Sequence, residues 1–295
     1  MGTIQRLALA ALAMTVTFAF AVAAEPPVKS EPSSGPAEKK TGYAPVNGLK
    51  MYYEISGEGK PAVYIHPIVS HCALISGLTK NRQWIAMDLQ GHGRTADIDR
   101  PMTCEQHADD IAALLKHLKV EQADFFGDSF GGTIALTMAV RHPKLVCRVV
   151  SYGGSFAPFP RGTAPALTPD SDAFKWKREE YQKVAPDPKQ WPTLFKKVLK
   201  SGMEWKGFSP DELNAIKAPV LIVCGDHDLI PVERYAEWSR KIPNAQLAII
   251  PDASHFVLFS EPEKLLPTIA AFLDAPTPKV PLGTAITGYY PGVTR

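Results

Sequence analysis

The chain has 295 residues, 45% of them hydrophobic, with 32 basic and 30 acidic side chains and a formal net charge of +2. This near balance, with the cations spread along the chain instead of collected in one arm, excludes nucleic acid as an expected partner. The four cysteines stand far apart and no His/Cys spacing suits zinc, so no metal is expected.

In chain order, Met1 to Ala24 begins with a single basic residue, Arg6, continues as an apolar run from Leu7 to Val22, and ends in small residues at Ala21, Ala23 and Ala24. That pattern predicts a cleaved signal peptide over residues 1–24, with a membrane anchor as the competing reading, and hence a secreted or periplasmic protein with no stable membrane insertion after cleavage. Residues 25–43 are rich in Pro, Ser, Lys and Glu and poor in bulky apolar side chains, the composition of a flexible tether. One α/β domain is expected over 44–275, and a tail over 276–295.

Inside the domain, short apolar runs alternate with helix-compatible ones, which predicts a mostly parallel sheet. Val63 to Ile65 reads as a strand that ends at His66-Pro67-Ile68. A second strand precedes Asp88 and the loop through Gly91-His92-Gly93 to Thr95. Ala123 to Phe126 reads as another strand, followed by Gly127-Asp128-Ser129-Phe130-Gly131 and an apolar helix from Thr133 to Val140. This is a G-x-S-x-G sequence between strand and helix, the place for a serine lifted out of a tight turn onto a helix N-terminus, where developing negative charge is stabilised. A serine hydroxyl is a weak nucleophile without a base, and the base needs a carboxylate to orient it. Both follow downstream: Val220 to Cys224 is a strand-like run leading to Asp226 and Asp228, and Leu247 to Ile250 leads to His255.

Between the strand ending near Ser151 and Val220 the chain is too long for a simple crossover, and a helical lid is expected over about 155–212. Helices are predicted at 172–184 and 192–199. The rings of Trp176, Tyr181, Trp191, Phe195 and Trp205, with Met203, are read as the lid's own small core. Lys175, Lys177, Arg178, Lys196, Lys197 and Lys200 are read as a solvated face. Cys147 and Cys224 are expected as buried free thiols, while Cys72 and Cys104 are left as a possible bridge.

These landmarks in this order resemble the α/β-hydrolase superfamily, in its serine-nucleophile, esterase- or lipase-like form, from about Gly48 to Leu273. The resemblance implies a doubly wound sheet with the lid inserted after the sixth strand, and a triad of Ser129, His255 and Asp228, the last selected over Asp226 by its place three residues after Gly225. It implies an oxyanion hole from the backbone N–H groups of Phe130 and Ile68, no cofactor, and a small ester-like substrate. Lactones and carbon–carbon bonds are open to the same triad. A silent binding protein on this fold is the reading of another class. The chain departs from the family at Pro67, which stands where a glycine is usual and has no N–H to donate. A further departure is a short His66 to Asp88 segment, which implies a trimmed first helix.

Overall fold

Residues 39–73, 81–158 and 168–276 are described in the computed structural model of the protein, and an eight-stranded sheet runs through their centre. The strands are β1 (Lys40–Val46), β2 (Leu49–Ser56), β3 (Lys60–Ile65), β4 (Arg82–Met87), β5 (Ala123–Asp128), β6 (Val146–Tyr152), β7 (Val220–His227) and β8 (Ala245–Ser254). The helices are α1 (Cys104–His117), α2 (Phe130–Arg141), α3 (Lys175–Val184), α4 (Trp191–Glu204), α5 (Pro210–Ala215), α6 (Val232–Ser239), α7 (Val257–Ser260) and α8 (Pro262–Asp274). Strand order is β1-β2-β4-β3-β5-β6-β7-β8, antiparallel where β2 meets β1 and β4, and parallel from β4 to β8.

Parallel strands covered on both faces need apolar residues at every position, and successive residues point to opposite sides. Val63, Ile65, Phe125 and Ile222 pack with Ile111, Leu114, Ile134 and Met138 of α1 and α2. Their neighbours Tyr64, Phe126, Leu221 and Val223 pack with Leu265, Ile269 and Phe272 of α8 on the other face. Each such side chain contributes about 1.5–3 kcal/mol by leaving water, and both faces hold the strand ends in fixed register. The groups of the candidate site sit at those ends.

The first strand starts inside the expected tether. Residues 40–43 belong to β1, because the hairpin through Asn47-Gly48 pairs Tyr43 with Tyr52 and sets their rings 5.3 Å apart edge to face. A polar edge strand has the composition of a linker, and only its pairing distinguishes the two. Residues 1–24, most of the tether and all but the first residue of the expected tail lie outside the described residues. So do residues 74–80, within the stretch where the sequence implies a trimmed helix; from Ile65 to Arg82 the described residues carry no helix. Among the described residues no helix is long and apolar enough to cross a membrane.

Between β6 and β7 the chain inserts α3, α4 and α5. Trp191, Leu194, Phe195 and Val198 recur at helical spacing along α4 and close a small core with Tyr181 of α3 and with Val69 and Met102 of the main domain. The expected core therefore forms, but only from Tyr181, Trp191 and Phe195. Trp205 packs on the main core beside Phe208, while Trp176 and Met203 stay exposed. The solvated basic face is corrected at two positions: Lys197 donates to the Asp97 carboxylate at 2.7 Å and to the Ile98 carbonyl at 2.9 Å, and Lys177 is buried. All four cysteines are free thiols, so Cys72 and Cys104 are not bridged, and Cys147 is exposed because its strand position turns outward.

Candidate active site

Every residue of β5 is buried, and the chain leaves it through a strained turn into α2. Ser129 takes φ 53° and ψ −114°, a region that disfavours a side chain and costs on the order of 1–3 kcal/mol. The turn closes only because its flanking residues have no side chains: a Cβ on Gly127 would lie 2.0 Å from the Gly131 carbonyl oxygen, and one on Gly131 would lie 2.1 Å from that of Ile65. The Ser129 N–H donates to the Tyr152 carbonyl at 2.7 Å, and its own carbonyl accepts from Gly132 and Thr133.

The loop after β8 brings His255 over this serine. His255 Nε2 lies 3.0 Å from Ser129 Oγ, and Nδ1 lies 2.9 Å from Asp228 Oδ1. A carboxylate only accepts, so Nδ1 carries the proton and Nε2 is free to accept from the serine hydroxyl. Burial pulls the His255 pKa down, but the hydrogen bond and charge of Asp228 outweigh it and leave the imidazole above its ordinary value. Asp228 Oδ1 also accepts from Tyr235 Oη and from the Ile230 N–H, both at 3.3 Å. Asp226 does something else: its carboxylate accepts the N–H groups of Ala253 and Asp252 at 3.0 Å, which holds its pKa down and fixes the turn leading to His255.

Two further groups hold the imidazole, and neither had a signal in residue spacing. Tyr152, at the end of β6, stacks on the His255 ring at 6.2 Å and donates its hydroxyl to the His255 carbonyl at 2.5 Å. Gly153, at φ 61°, lets the ring rest on bare backbone, since a Cβ there would be 2.7 Å from His255 Cε1.

The loop after β3 faces the elbow. The His66 ring is buried, donates from Nδ1 to the Pro67 carbonyl at 2.8 Å, and accepts at Nε2 from the Leu89 N–H at 3.2 Å. Burial holds it neutral. Pro67 fixes its own φ at a negative value, and the left-handed residue of this loop is Val69, whose φ is 46°. A branched side chain in that region is an outlier, held here by burial against Met102, Trp191 and Phe195. Phe130 is the first residue of α2, so its N–H has no intrahelical acceptor, and the Ile68 N–H has no hydrogen-bond partner among the described residues.

Asp128, just before the serine, is buried with Oδ2 unpartnered among the described residues, and burial pushes its pKa up to about 7. His92 and His107 are wholly buried behind His66 and are kept neutral by burial, with pKa values of about 4 and about 3. His227 is exposed at the end of β7, just before Asp228, and no cluster of His, Cys, Asp or Glu among the described residues has the geometry of a metal site.

A sheet with a strained serine after its fifth strand, a histidine after its eighth and an acid after its seventh defines the class of α/β hydrolases. The chain belongs to the alpha/beta hydrolase family, whose model matches residues 63–268. It is 27% identical over 258 residues to a 2-hydroxymuconate semialdehyde hydrolase of Pseudomonas putida, covering 77% of this chain and 91% of that one. It is 36% identical over 124 residues to a protein of the same name from Pseudomonas sp. strain CF600, a match that spans 38% of this chain and 43% of the relative. Among solved structures, the enol-lactonase of Burkholderia xenovorans superposes with a TM-score of 0.65 at 22% identity, covering 79% of this chain and 100% of that one, a likeness of fold.

Proposed function

We propose that the protein is an exported serine hydrolase that cleaves a carboxylic ester or a related acyl bond through an acyl-enzyme on Ser129. The observation that carries this reading is the unbroken chain from Ser129 Oγ through the His255 imidazole to Asp228 Oδ1, at 3.0 and 2.9 Å. His255 takes the hydroxyl proton as Ser129 Oγ attacks the carbonyl carbon, and Asp228 stabilises the imidazolium so formed. The N–H groups of Phe130 and Ile68 bind the oxyanion. His255 then gives the proton to the leaving group and activates a water to release the acid. None of these steps calls for a cofactor. The insertion acts as a lid over the cleft, a role supported by the packing of α4 onto Val69. Export rests on the pattern of Met1 to Ala24.

A second reading is hydrolysis of a carbon–carbon bond or a lactone on the same triad, since the name of the Pseudomonas putida relative, a 2-hydroxymuconate semialdehyde hydrolase, names no ester. Fluorophosphonate labelling of the mature protein, located by peptide mass spectrometry, tests the shared step. Label on Ser129 that is lost in Ser129→Ala and in His255→Ala is expected; a folded protein that takes up no label overturns the serine mechanism. A panel of esters, lactones and vinylogous diketones then separates the two readings.

A further inference from the structure

Lys177 is the one lysine of α3 whose side chain turns away from solvent. Its neighbours Lys175 and Trp176 are exposed, whereas Lys177 is 8% exposed. Its ammonium lies 4.3 Å from the Trp176 ring centre and 5.8 Å from that of Phe259 in α7, the short helix that follows His255. Its charge acts on His66, His71, His92, Asp128 and His255, groups contributed by the ends of β3, β4, β5 and β8. The ammonium therefore sits on the insertion side of the candidate site, against the helix that follows His255.

Among the described residues no ion pair neutralises it. Among the described residues no acceptor lies within hydrogen-bond or ion-pair distance of Lys177 Nζ, whereas Lys183, Lys197 and Lys200 of the same insertion each pair with an acid. Asp128 is near enough for its charge to be felt and too far to form an ion pair, and the ring faces supply only a weak attraction. A buried ammonium stripped of water and left without a partner is a site whose counter-ion arrives from outside.

We propose that Lys177 recognises a carboxylate on the substrate, so that the enzyme acts on acyl compounds carrying one negative charge close to the scissile carbonyl. This deepens the serine-hydrolase reading and rests on it. A single charge is favoured over a doubly charged phosphate because the neighbouring His66 and His92 are held neutral by burial and add no positive charge to that of Lys177. Burial also lowers the Lys177 pKa to about 8, so the charge is present at neutral pH and a carboxylate bound beside it would strengthen it.

The test is a matched pair of substrates, 4-nitrophenyl hydrogen succinate and 4-nitrophenyl valerate, of similar acyl length with and without the carboxylate. The ratio of their kcat/KM values is expected to favour the succinate at least tenfold, to fall at least tenfold in Lys177→Met, and to be largely retained in Lys177→Arg. A ratio near one in the unaltered protein, or a ratio that Lys177→Met leaves in place, overturns the proposal. Competitive inhibition of valerate hydrolysis by glutarate probes the same site without any variant: inhibition is expected, and its absence counts against the proposal. If neither ester is turned over and fluorophosphonate leaves Ser129 unlabelled, the hydrolase reading fails by itself. Calorimetric titration of glutarate into the unaltered and Lys177→Met proteins then decides the carboxylate site directly, binding lost in the variant supporting it and no binding in either overturning it.

Discussion

One wall of the cleft, carrying Ser129, His255 and Asp228, is fastened by directional hydrogen bonds from strand ends, whereas the facing wall, formed by residues 66–69 and α4, is fastened by apolar packing. The first wall is specified atom by atom: Asp228 Oδ1 to His255, Tyr152 Oη to the His255 carbonyl, Asp226 to the turn before it. The second is specified by volume, with Val69 held at positive φ among Trp191, Phe195 and Met102. Loss of one atom should therefore be ruinous on the first wall and graded on the second.

The largest expected effect breaks the first wall. Ser129→Ala or His255→Ala should each lower kcat by about 10⁶-fold, with the double variant no worse, because the residues act as a unit; turnover of 4-nitrophenyl valerate measures this. Next, Asp228→Asn should cost about 10⁴-fold through the wrong imidazole tautomer, while Asp226→Asn, which loses only the support of a turn, should stay within about tenfold. If the two acids give equal losses, the division of labour between them is wrong.

On the facing wall, Ile68→Pro removes one N–H and should lower kcat by about 10²–10³-fold, while Ile68→Ala, which keeps it, should have a far smaller effect; equal losses would place the oxyanion donor elsewhere. Smaller again is Val69→Gly. Relief of strain, about 1 kcal/mol, opposes the loss of a buried branched side chain worth about 2–3 kcal/mol, so urea unfolding should show a net destabilisation of about 1–2 kcal/mol. The gentlest probe is pH. His255 must be neutral to accept the proton, and its raised pKa means that this form is reached only at higher pH, so kcat/KM should fall on the acid side with a midpoint above 6.5. Replacing Asp228 removes the group that raises the pKa, and the midpoint should move down.

How far each wall is legible in the sequence follows from how it is built. The triad announces itself through short local patterns: a G-x-S-x-G between strand and helix, and polar residues just beyond two apolar runs. The parallel sheet is legible for the same reason, since alternation along Val63 to Ile65 or Val220 to Cys224 records two covered faces. Tyr152 leaves no such trace, because its partner follows another strand and a tyrosine closing an apolar run looks like core; Tyr235 leaves none because a tyrosine on the buried face of α6 looks the same. Lys177 misleads, since a lysine among charged neighbours on α3 has the local chemistry of a solvated face, and only the placement of the insertion turns it inward. The tether misleads at residues 40–43 because an edge strand pairs through backbone, which composition does not report.

His255 follows β8, an edge strand of the sheet that among the described residues pairs with β7 alone. The nucleophile is in place once β3, β5 and β6 have closed around Gly127, Gly131 and the Ser129 N–H, but its base arrives with the last edge to be synthesised. On the proposed mechanism, a chain that ends before His255 carries an inert serine, so hydrolysis is expected only once β8 has joined the far border of the sheet.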